Sequence, residues 1–178
     1  TAASQYASAT VKPLFDAMIT DFADNVIPNW ASDASNGQAG KLTDATRSIH
    51  VNAKGHELDQ TFIKGIIGAM CVDQIVNNYI TPYQLDSGTR RAENDDNTLA
   101  SGKDYTNMEH KWDEGFGYIY GVDDDISDAT INNDIFLGKY LNKFEDYKLT
   151  VYDAFKMGRQ AIVNGCSEER DLQAQIIK

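Results

Sequence analysis

The chain has 178 residues, 42% of them apolar, and nine tyrosines, enough for a domain with a proper core and against global disorder. A formal net charge of −11 and a pI near 4.5 argue against nucleic acid, whose phosphates call for clustered lysine and arginine, and against an anionic membrane surface. No segment offers the roughly 20 apolar residues of a membrane helix; the longest apolar run, residues 63–80, is interrupted by Lys64, Asp73, Gln74, Asn77 and Asn78.

Leu14, Met18, Phe22 and Val26 recur at four-residue steps and predict a first helix over residues 11–26, with Pro13 in its first turn and Pro28 ending it. Residues 29–40 read as a polar loop and 43–53 as a short helix. Residues 57–80 are apolar around most of a helical circumference, which predicts a deeply buried central helix closed by Pro82. Residues 85–103 form a long hydrophilic connection. After a helix at 108–120 and an acidic loop at 121–134, helices are expected near 135–145 and 151–163. A last one starts at Ser167, an N-cap residue followed by Glu168 and Glu169. No run alternates with period two, so no sheet is expected, and the reading is one all-α helical domain over residues 1–178.

Residues 108–120 carry the strongest chemical signal. At about 100° per residue, Met108, Trp112, Phe116 and Ile119 make a core stripe, while His110, Asp113, Glu114, Gly117 and Gly121 gather opposite. Glycine inside a helix costs about 0.5–1 kcal/mol against alanine, so two glycines in line with these polar groups indicate close approach by another helix, an ion or a small ligand. Spacing of i, i+3 and i+4 puts the imidazole and both carboxylates within reach of one ion, a donor set that suits iron, manganese or zinc. The alternative is a hydrogen-bonded histidine with salt-bridged carboxylates at a helix–helix contact. Neither H-E-x-x-H nor Glu-x-x-His is present.

Asp73 on the central helix needs a partner, for which Arg90 or Arg91 is the candidate. Glu57 either caps that helix or reaches into a site around His110. Asp123, Asp125 and Asp128 lie in a run resembling the start of a calcium loop, although Asp128 stands where glycine is required and Asp134 where glutamate is. Cys71 and Cys166 lack C-x-x-C spacing, which excludes a thiolate zinc site and leaves a disulfide between them open. No nucleophile elbow or phosphate-binding glycine loop occurs.

The stretches Asn52-Ala53-Lys54-Gly55, Val72-Asp73-Gln74-Ile75-Val76-Asn77-Asn78-Tyr79 and residues 108–118, with residues 153–159 and 170–174, resemble the DUF4856 family of bacterial envelope proteins over most of residues 37–178. Family members are longer, and the chain, which starts at Thr1 and ends on an uncapped helical pattern, reads as a piece of a larger polypeptide. The family is similar in turn to the imelysin-like proteins, which are built from two four-helix bundles and carry a G-x-H-x-x-E motif. His110 would match that histidine, with Met108 in the place of the glycine, Asp113 in the place of the glutamate, and Glu114 one step later. The resemblance implies an imelysin-like bundle, one half or a fragment of a two-bundle protein, exported to the periplasm or outer cell surface, often as a lipoprotein.

Residues and resemblance together lead to a non-catalytic binding protein. Its expected metal ligands are His110, Asp113, Glu114 and Glu57, for iron or zinc, with Asp73, Tyr118 and Arg91 as ligand-binding neighbours. A metallopeptidase-like enzyme with Glu114 as general base is one alternative. The other is a metal-free scaffold that docks the remainder of the same polypeptide or a second chain.

Overall fold

The computed structural model describes residues 7–121 and 136–178. Two compact units divide the chain, Thr1–Ala69 and Met70–Lys178, and helices dominate both, as the apolar periodicity predicts. In the first unit, α1 (Lys12–Asp21) carries Pro13 in its first turn, where a missing N–H leaves no intrahelical bond unmade. The helix runs on through irregular turns over Phe22–Val26 and Ile27–Asn29.

The helix expected at 43–53 is instead a hairpin, the one sheet among the described residues. β1 (Gly40–Thr43) pairs antiparallel with β2 (Ser48–Val51), Lys41 lying opposite His50. The cause is local turn chemistry that outweighs the weak helical pattern. Asp44 accepts hydrogen bonds from the backbone N–H of Thr46 (2.7 Å) and Arg47 (3.0 Å) and from the Thr46 hydroxyl (2.7 Å), which fixes the turn and holds its carboxyl down at about 2. At Gly40 a Cβ would fall 2.5 Å from the Ser32 carbonyl oxygen, so glycine permits the preceding loop to lie against the strand. Beyond β2 the buried Asn52 side chain accepts from the N–H groups of Lys54 (3.0 Å) and His56 (2.9 Å) and donates to Asp21 (2.8 Å). The Asn52–Gly55 stretch is therefore a closed turn tied to α1.

α2 (Leu58–Ile66) follows, with Phe62 edge-on to Phe15 at 5.1 Å. The helical path continues in π-type turns over Ile67–Val72 and Ile75–Tyr79. It is less buried than its apolar composition predicts, since Ile63 and Met70 are both more than half exposed.

In the second unit, a short helix α3 (Pro82–Leu85), capped by the Thr81 hydroxyl, leads into the expected hydrophilic connection, within which α4 (Arg90–Asp95) forms. α5 (Asn107–Tyr120), α6 (Phe136–Leu141), α7 (Glu145–Val163) and α8 (Ser167–Ile177) complete it. Cys166 rather than Ser167 takes the cap position of α8, and Cys71 and Cys166 are both free thiols, so the disulfide is not formed. Ile75, Ile80, Leu85, Met108, Trp112 and Phe155 centre the core, each such apolar side chain contributing about 1.5–3 kcal/mol on burial.

The most deeply buried charged side chain among the described residues lies in this unit. Arg170 of α8, 2% exposed, forms two bonds to Asp86 (2.7 and 3.0 Å), one to Asp171 (2.8 Å) and a contact to Met108 Sδ (3.6 Å). Hydrogen bonds from Arg170 hold the Asp86 carboxyl below the usual carboxylate range. A lowered folded pKa means that the stabilisation is present above the unfolded value and is lost as pH falls through the folded one. Asp86→Asn is expected to lower stability at neutral pH and to flatten the acid limb of a stability–pH profile measured by urea denaturation.

Candidate functional site

α5 is fixed at its start by a capping box that the Thr106-Asn107-Met108-Glu109 sequence encodes. The Thr106 hydroxyl accepts from the Glu109 N–H (3.3 Å), and the Glu109 carboxylate accepts from the Thr106 N–H. The same hydroxyl donates to Asn94 Oδ1 (2.8 Å), and the Asn94 amide donates to the Ile162 carbonyl (2.9 Å). Buried polar groups thus tie α4, α5 and α7 together at one end. At the other, the Tyr120 hydroxyl donates to the Lys148 carbonyl (2.9 Å).

Between these ties Trp112 meets α7. Its indole N–H donates to the Phe155 carbonyl (2.9 Å), and its ring packs edge-on to Phe155 at 5.6 Å. A Cβ on Gly158 would lie 2.1 Å from the indole, so glycine makes room for Trp112. The sequence placed the close approach at Gly117 and Gly121, but among the described residues neither meets anything within 4 Å. Gly121 ends the helix at φ +69°, and the tight glycine of α5 is Gly115, against Ile80 and Tyr79.

The Trp112 contact brings Arg159 onto α5. Its guanidinium lies 2.6 Å from Glu109 and 3.0 Å from Asp113. Sequence reasoning missed this residue, although Glu109 and Asp113 form an i, i+4 acidic ridge and Gly158-Arg159 closes one of the stretches that carry the family resemblance. Burial at the α5–α7 seam pushes the Asp113 carboxyl up, and the Arg159 charge opposes it. Glu114 points elsewhere, accepting from Lys111 Nζ at 2.6 Å, with its other oxygen 3.5 Å from His110 Nε2. His110 stacks on Tyr105 at 5.2 Å, and Lys111 lies over the Tyr79 ring. Tyr79 packs beside Tyr118 at 5.5 Å, and burial with a hydrogen bond to Tyr118 pushes the Tyr79 hydroxyl up to about 12.

Of the predicted ligand set, the structure brings together His110 and Glu114. Asp113 is committed to Arg159. Glu57 lies in the first unit, 4.0 Å from Arg47, at the start of α2. Asp73 accepts from Asn77 at 2.9 Å, and the arginines expected beside it are engaged elsewhere: Arg90 with the Gln84 carbonyl, Arg91 with Asp95 (3.0 Å) and Asp86 (3.8 Å). Among the described residues no group of three or more His, Cys, Asp and Glu is placed to hold a metal ion. Asp123, Asp125 and Asp128 lie outside the described residues.

Fold and site define a mainly helical protein with a helix face organised by ion pairs to its own residues and to a neighbouring helix. A family model described as a domain of unknown function, DUF4856, matches residues 1–178, and the chain belongs to that family. No curated protein and no solved structure matches it. No helix among the described residues is long and apolar enough to cross a membrane.

The seam gives three sharp expectations, each read by urea denaturation. Gly158→Ala should cost about 1–3 kcal/mol by overpacking against Trp112, whereas Gly117→Ala, on open helix surface, should add about 0.5–1 kcal/mol. Arg159→Met should cost about 1–3 kcal/mol by leaving Glu109 and Asp113 without their cation. Asp113→Asn should act differently. A raised folded pKa gives a contribution present below the unfolded value and lost as pH rises through the folded one, so this variant should lose that part of the decline with rising pH.

Proposed function

We propose that the chain is a non-catalytic binding module of a bacterial cell-envelope protein and that its ligand face is the exposed side of α5 around His110 and Glu114. The carrying observation is the division of carboxylates along that helix. Glu109 and Asp113 are spent on Arg159, while Glu114, one oxygen of which accepts from Lys111 at 2.6 Å, keeps its other oxygen 3.5 Å from His110 Nε2. Export, an anchoring lipid upstream and kinship with the imelysin-like bundles belong to the same proposal, and they rest on the family likeness. Fractionation of cells that express the full-length protein tests them: recovery in the cytosol would remove the envelope from the reading.

His110 and Glu114 do not by themselves fit a resident metal centre, which in a structural or catalytic zinc site takes three or four protein ligands. They fit an open, exchangeable site for a transition-metal ion, a borderline nitrogen and a hard oxygen on one helix edge. The set argues against a metallopeptidase, because Glu114 is tied to Lys111 and His110 instead of being placed as a base beside a three-ligand ion.

Titration of the chelator-stripped protein with zinc or ferrous iron decides the matter. The expected result is a single saturable site lost in His110→Ala and Glu114→Gln and retained in Asp113→Asn. Loss in Asp113→Asn would show that Arg159 releases the carboxylate to the ion, contrary to this assignment. Absence of binding in the native protein would leave the face as a surface for a protein partner.

A further inference from the structure

The first unit carries a second surface that the α5 face does not use. α1 buries none of its residues, and Leu14, Ile19, Ile27 and Ile63 are each more than half exposed. A groove between α1 with its extension and α2 is lined by Met18, Ile19, Phe22, Ile27, Phe62 and Ile63, with Asp59 as the charged side chain at its edge. On the α1 segment Asp16 pairs with Lys12 (2.6 Å), Asp21 accepts from Asn52 and Asn25, and Asp24 is exposed, while α2 carries Asp59 in its first turn and Lys64 in its last. Across α1 and its extension, residues 12–29, Val26 is the one buried side chain, so most of the apolar side chains of this segment lie open to a partner.

We propose that this groove receives an amphipathic helix of a protein partner that bears lysine or arginine along its polar flank. Charge decides among the occupants. A second copy would bring the same aspartates, and two chains of net charge −11 repel each other. An anionic membrane surface is disfavoured on the same ground. A cationic helix puts its apolar ridge against the phenylalanines and isoleucines of the groove and its charges within reach of Asp59 at the edge, the helix-in-groove mode of recognition.

Fluorescence anisotropy with the full chain tests this, using a labelled leucine/lysine amphipathic helix of about 18 residues and its leucine/glutamate counterpart. The lysine peptide is expected to bind saturably, at least about tenfold tighter than the glutamate peptide, and more weakly as salt rises. Ile63→Asp and Ile19→Asp, both at exposed positions and checked for folding by circular dichroism, should each weaken binding about tenfold or more. Asp59→Asn, which leaves the apolar lining intact, should weaken it severalfold and reduce its salt dependence. Equal binding of the two peptides, or lysine-peptide binding untouched by Ile63→Asp and Asp59→Asn, would overturn the proposal. Light scattering that shows a native dimer, converted by Ile63→Asp to a monomer, would also overturn it and give the groove to a second copy.

Discussion

The contact of Trp112 with Gly158 sets the geometry of the second unit. An indole buried to 1% exposure needs both a cavity and a partner for its N–H, and α7 supplies the two within one turn: a glycine with no Cβ to clash and the Phe155 carbonyl at 2.9 Å. Arg159 follows Gly158 directly, so the residue that allows close approach also delivers the cation to Glu109 and Asp113. Any side chain at 158 would push the indole outward and draw Arg159 away from α5. Packing and electrostatics at this seam are therefore one constraint.

That coupling decides the chemistry left on α5. A helix with three acidic groups, Glu109, Asp113 and Glu114, looks from its spacing like a cation site. Once Arg159 takes two carboxylates, the remaining donors are His110 and Glu114, with Lys111 competing for the latter at 2.6 Å. A metal ion at this edge must displace an ammonium ion, which favours weak, exchangeable binding over a permanent centre. The two carboxylates with opposed pKa shifts make the same point about burial. Asp86 is lowered because Arg170 hydrogen-bonds it, and Asp113 is raised because the seam desolvates it more than Arg159 compensates.

The helical character, the Pro13 start, the end of the central helix before Pro82 and the core stripe of Met108, Trp112 and Ile119 were legible in the sequence, because each rests on short-range periodicity or on proline. The hairpin at Gly40–Val51 was not. Its determinants are side-chain bonds from Asp44 and a backbone approach at Gly40, neither of which has a period. The capping box at Thr106–Glu109 was written in the sequence but outweighed by the charged face that follows it. Arg159 was hidden for another reason. A helix-wheel argument ranks residues by their own helix, and the partner that neutralises Asp113 comes from 46 positions away. The glycines show the same limit from the other side: Gly117 and Gly158 look alike in sequence, and only the neighbouring helix distinguishes an idle glycine from an obligatory one.

The two units order their aromatic side chains differently. In the second unit, tyrosines, phenylalanines and Trp112 interlock edge to face, from Phe116 through Tyr120 and Tyr152 to Phe155, and little of that surface meets water. In the first, Phe15 and Phe62 form a small edge-on pair, His50 stacks on Trp30 at 3.5 Å, and the isoleucines around them stay exposed. Hydrogen bonds carry more of the order there: the Asn52 turn, the Asp44 turn and the hairpin ladder hold the backbone while the helices keep an open apolar groove. An apolar groove left in water is the kind of surface from which a partner site is inferred, and it is this combination of a polar-bonded backbone with exposed Ile19, Ile27 and Ile63 that carries the proposed groove.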